Sequence, residues 1–103
     1  MAIQMATLRF DFPNATGRVQ TLSKPLAFSG TVRNAAAVLQ GFNVQYNNGD
    51  HELLQETVQL FATNLNNNTL VVEAHLLLRD SSGNIDDPYS GSINAVVIAD
   101  VVP

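Results

Sequence analysis

The chain has 103 residues, a net charge of −4, and neither cysteine nor tryptophan. Its few cations, Arg9, Arg18, Lys24, Arg33 and Arg79, are scattered. Nucleic-acid and anionic-membrane binding both need clustered cations, so neither partner is expected, and without cysteine there are no disulfide frameworks or thiolate metal sites.

Length fits a single domain over residues 1–103, able to build one core. Met1–Thr7 lacks the basic start and apolar stretch of a signal peptide, and no apolar run is long enough to span a bilayer. The expectation is a soluble protein, cytoplasmic or released without such a signal. Charged residues make up 14% of the chain, against roughly 25% in an average soluble domain. A surface so poor in charge is easily desolvated, which favours association.

In chain order, Leu8–Phe12 alternates cleanly and reads as a strand with Leu8, Phe10 and Phe12 inward. Pro13–Gly17 ends it with turn chemistry. Pro25–Val32 holds the short apolar segment Leu26-Ala-Phe28 and a Ser29-Gly30 break. Ala35–Tyr46 is the next strand, with Phe42, Val44 and Tyr46 on one face and Gly41 marking a bulge. Asn47–Asp50 is a turn. His51–Glu56 is read as a loop feeding a strand over Glu56–Asn64, where Val58, Leu60 and Ala62 face the core. Asn64–Asn68 connects tightly to a long strand over Thr69–Arg79. Asp80–Ser92 is an acidic loop containing Gly and Pro, and Ile93–Val102 is the last strand. Strands joined by short loops, with no helix, predict an all-β, six-stranded antiparallel β-sandwich.

Two of these strands are apolar on both faces, whereas a strand in a small sandwich should bury one face and wet the other. On Thr69–Arg79, Leu70, Val72, Ala74, Leu76 and Leu78 share the core face, and Val71, Glu73, His75, Leu77 and Arg79 share the other. Ile93–Val102 has the same character. Cover from neighbouring copies is the expectation. Val71, Glu73, His75, Leu77 and Arg79 then form a subunit interface, with Glu73 pairing to His75 or Arg79 of a neighbour.

Catalytic signatures are absent: there is no G-x-S-x-G, H-E-x-x-H or P-loop. His75 has no nucleophile or orienting acid at a diagnostic spacing, so an enzyme is not expected. Asp80, Asn84 and Asp86 bring hard oxygens to one loop with Gly83, as calcium requires, with Asp87 beside them. The spacing lacks the full calcium-loop pattern, and the same residues make turns, so no cofactor or metal is expected.

From Lys24 onward the order of pieces resembles the H-type lectin domain of discoidin C-terminal domains and snail agglutinins. The matching text is Pro25-Leu-Ala-Phe28, Ala36–Val44, Val58–Leu65 leading into Thr69–Ala74, and Ser92–Ala99. The resemblance implies a six-stranded antiparallel sandwich that assembles as a trimer or hexamer and binds N-acetylgalactosamine-like sugars at subunit boundaries. The family's strand arginine falls near Phe61, and its aromatic–polar pair near Leu77-Leu78. The family's own sugar site is therefore not carried over. The reading is an oligomeric, lectin-like carbohydrate-binding module, with glycans and further copies of itself as partners. Asp50, His51, Asp87 and Tyr89, on the loops Asn47–His51 and Asp80–Tyr89, are the candidate ligand-binding residues. The alternative is a non-catalytic structural or protein-interaction sandwich.

Overall fold

In the computed structural model the chain forms six strands: β1 (Ala2–Ala15), β2 (Gln20–Ala27), β3 (Thr31–Tyr46), β4 (Leu53–Asn64), β5 (Thr69–Asp80) and β6 (Tyr89–Val102). The structure describes residues 2–15, 19–47, 53–64, 67–80 and 88–102, without the side chains at 53, 54, 64 and 80. Two three-stranded antiparallel sheets result, ordered β1-β6-β3 and β2-β5-β4. The all-β, two-sheet architecture is the one expected from the strand pattern.

Every strand but β2 runs 12 to 16 residues. At about 3.3 Å per residue, strands of that length dictate a rod. The molecule measures 51 × 20 × 18 Å, with a radius of gyration of 16.0 Å, against about 13 Å for an ordinary domain of this size.

Alternation builds the core. Phe10 and Phe12 of β1, Leu70, Val72, Ala74, Leu76 and Leu78 of β5, and Ile93, Ala95, Val97, Ala99 and Val101 of β6 are all buried between the sheets. Complete burial of each large apolar side chain contributes about 1.5–3 kcal/mol. Pro25 is accommodated because β2 is an edge strand, where a missing N–H leaves no central pairing unmade. The register shifts between Leu39 and Gly41, so the expected bulge is present.

Several boundaries differ from expectation. Strand β2 begins at Gln20 and ends at Ala27, and Thr31 already belongs to β3, so Pro25–Val32 straddles a turn. Strand β4 opens at Leu53, inside the expected loop. Strand β6 opens at Tyr89, which pairs with Ala15 and Tyr46, so the end of the expected acidic loop is strand. Phe42 is 45% exposed despite sharing a face with Val44 and Tyr46, on β3, an edge strand of its sheet with a neighbour on one side only.

The two-faced strands, β5 and β6, are the central strands of their sheets. A central strand has its outer side chains shielded laterally by both neighbours, without a second molecule. Leu77 shows the effect. It was expected at a subunit interface, but it is 3% exposed within the single chain. Thr57 of β4 lies opposite it, and Val19 precedes Gln20, the partner of Leu76. Leu77 therefore has almost no surface left to offer a neighbour.

Candidate functional site

A polar concavity lies on the outer face of the β1-β6-β3 sheet. It is an open trough of about 250 Å³ lined by Arg9, Asp11, Phe12, Asn43, Gln45, Ser90, Gly91 and Ser92. Register places its members. Ser92 pairs with Asp11 on one side and Asn43 on the other, so the three form one row across the sheet. Ser90 pairs with Gln45 in the next row. Their inward neighbours Phe10, Phe12 and Ile93 are core residues, and this anchoring directs the alternate polar side chains outward.

Hydrogen bonds organise one end of the trough. Asn47 Nδ2 donates to Asn14 Oδ1 at 2.7 Å and to Ser90 Oγ at 3.1 Å. Gln45 Nε2 donates to Asn47 Oδ1 at 3.3 Å. The Asn47 backbone N–H donates to the Pro88 carbonyl at 2.9 Å, which joins the ends of the two chain segments leading into residues 48–52 and 81–87. At the other end Arg9 Nε donates to Asp11 Oδ1 at 2.9 Å, with both side chains well exposed. Gly91 serves the floor: a Cβ there would lie 2.1 Å from the Asn43 carbonyl oxygen and 2.9 Å from Val44 Cα. Only glycine lets β6 and β3 approach this closely.

The trough thus presents a carboxylate, a guanidinium, two carboxamides and two hydroxyls on rigid strands. This donor and acceptor set is suited to a ligand rich in hydroxyl groups. Its one ring, Phe12, is 3% exposed and provides no stacking surface.

The expected ligand-binding residues are distributed differently. Asp50, His51 and Asp87 lie outside the described residues, as do Asn84 and Asp86 of the calcium candidate and the side chain of Asp80. Tyr89 corrects the expectation. It is fully buried, and its hydroxyl donates to the Leu76 carbonyl at 3.1 Å, so it is a core residue with no face for a sugar.

On the outer face of β5, Val71, Glu73, His75 and Arg79 are half-buried. Glu73 meets His75 of its own chain, with Oε1 2.8 Å from Nε2. The Phe61 ring stands edge-on to His75 at 5.1 Å, and Phe61 itself is 47% exposed. Arg79 Nε is buried without a hydrogen-bond partner. The cluster brings together an acid, an imidazole and a ring.

Sequence reasoning missed the trough. Its signal was the alternation of polar residues in Asn43-Val-Gln45 and Ser90-Gly-Ser92-Ile-Asn94. That alternation acquires meaning only once β3 and β6 are known to pair.

Fold and surfaces define an all-β protein of two three-stranded antiparallel sheets with a polar trough on one outer face. No protein-family model, no curated protein and no solved structure matches the chain. Among the described residues, no helix is long and apolar enough to cross a membrane.

Proposed function

We propose that the chain is a non-catalytic carbohydrate-binding module that acts as a homo-oligomer, with the trough of Asp11, Asn43, Gln45, Ser90 and Ser92 as its sugar site. The observation that carries this reading is the row Asp11–Ser92–Asn43, which offers a carboxylate, a hydroxyl and an amide from three adjacent strands. Vicinal hydroxyls of a sugar match such a set. The lack of a stacking ring makes each site weak, and repetition in an oligomer supplies avidity. In this reading the outer face of β5, with Val71, Glu73, His75 and Arg79 beside exposed Phe61, is the subunit contact. The lectin-like resemblance of the sequence points the same way, and a trimer or hexamer is the assembly it suggests.

The test is a glycan array probed with the full chain, alongside Asn43→Ala and Asp11→Asn. Binding to at least one sugar class, lost in both variants, is the expected result. An array without signal from the folded oligomer would overturn the proposal.

A second reading, a structural or interaction protein without a small-molecule site, is favoured by a specific observation. Ile3, Met5, Val38 and Ile98 are all large apolar residues left exposed on the outer face of the β1-β6-β3 sheet. The same array separates the two readings.

A further inference from the structure

The outer face of the β1-β6-β3 sheet divides along its length. Four successive rows can be read from the register: Ile3–Asp100–Asn34, Met5–Ile98–Ala36, Thr7–Val96–Val38, and Arg9–Asn94–Gly41. The middle two are apolar apart from Thr7. Met5 is 71% exposed, Ile3 62%, Val38 46% and Ile98 39%. Asp100 lies in the first row and Arg9 in the fourth, where its Nε also pairs with Asp11 of the next row at 2.9 Å. Asp100 Oδ1 is buried yet has no hydrogen-bond partner. It sits at an open depression of about 280 Å³ lined by Ile3, Asn34, Ala35, Ala36 and Ile98. An unsatisfied buried carboxylate oxygen is costly to the single chain.

We propose that this face is a two-fold interface between two copies of the chain, stacked sheet on sheet with their strands antiparallel. A two-fold axis crossing the strands between the second and third rows places apolar rows on apolar rows. It also brings the first row of each copy over the fourth row of the other. Asp100 of one copy then faces the Arg9–Asn94 row of its partner, and the reverse pair forms symmetrically. A two-fold axis along the strands would instead stack each row on itself and set Asp100 against Asp100, so charge selects the first arrangement. Two Arg–Asp pairs flanking an apolar centre match the usual anatomy of an apolar core with a polar rim.

Strand spacings give the four rows a footprint of about 20 × 15 Å per copy. That is about 600 Å² over both copies, below the roughly 1,200 Å² of stable specific interfaces, so the pairing is weak and transient. The trough row Asp11–Ser92–Asn43 and the rows beyond it fall outside the overlap. Arg9 lines the trough and also belongs to the overlap, so each trough would border the contact between copies. The inference concerns assembly and does not rest on the carbohydrate reading.

Sedimentation of the full chain over a concentration series tests it. Met5→Glu and Ile98→Glu alter exposed side chains, so circular dichroism should report an intact fold, and at matched concentration the mass should be half that of the unaltered chain. Arg9→Asp and Asp100→Arg singly should each weaken association at least about tenfold, by opposing like charges. Combined, they should restore it. Within one chain the two positions lie about 20 Å apart along the sheet, so only contact between copies can produce the rescue. Should Asp100→Arg fail to fold, Met5→Glu and Ile98→Glu still decide. A mass unchanged by both glutamates at every concentration, or a double charge variant weaker than either single one, would overturn the proposal.

Discussion

The hydroxyl of Tyr89 donates to the main-chain carbonyl of Leu76 at 3.1 Å, linking β6 of one sheet to β5 of the other. A second link runs beside it, from Gln20 Nε2 on β2 to the Tyr89 carbonyl at 3.3 Å. The two sheets are thus joined by polar contacts as well as by apolar packing, and both contacts are buried. Tyr89→Phe keeps the ring and removes the donor. It should cost about 1 kcal/mol, read as a fall in Tm of about 4–8 °C for a domain of this size. Tyr89→Ala should cost about 3–5 kcal/mol, because a cavity is added to the lost bond.

Gly91 and Gly41 should respond oppositely to alanine. The new Cβ at 91 would collide with the backbone of β3, and backbone cannot turn aside as a flexible side chain can. Gly91→Ala should be destabilising by at least about 2 kcal/mol, with β6 displaced from β3. At Gly41 nothing lies within 4 Å of the added atom. Gly41→Ala should be neutral or stabilising by about 0.4–1 kcal/mol, through a less flexible unfolded chain. Urea denaturation of the two variants checks both signs.

Asn47 holds the end of the trough through Asn14, Gln45 and Ser90. Asn47→Ala removes all three side-chain contacts and leaves the backbone bond to Pro88 in place. The side chain is exposed, so stability should change by less than about 1 kcal/mol, while sugar binding on the array should fall several-fold because Gln45 and Ser90 lose their positioning. Parallel melting and array measurements separate the two effects.

How much of this was legible beforehand depended on whether one strand sufficed to show it. Leu8, Phe10 and Phe12, and the series Leu70 to Leu78, declare their faces by alternation alone, and each lies inward as read. The apolar character of both faces of β5 and β6 was also visible, but its cause was not. It marks the centre of each sheet, a property of strand order, and strand order is set by pairings across many residues. Leu77 was assigned to an interface for that reason. Tyr89 looked like loop because Asp86-Asp87-Pro88 precedes it, yet its partners Ala15 and Tyr46 lie far away in the chain. The trough is the extreme case. Asp11, Asn43 and Ser92 are ordinary polar residues until three distant strands set them in one row.

The most direct test of the proposed site is residue-resolved. Amide nuclear magnetic resonance spectra of the full chain, recorded during titration with a panel of mono- and disaccharides, locate any contact. The account predicts shifts at Asp11, Asn43, Gln45, Ser90 and Ser92 for at least one sugar. Shifts confined to the Phe61–His75 face, or no shifts with any sugar class, would contradict it.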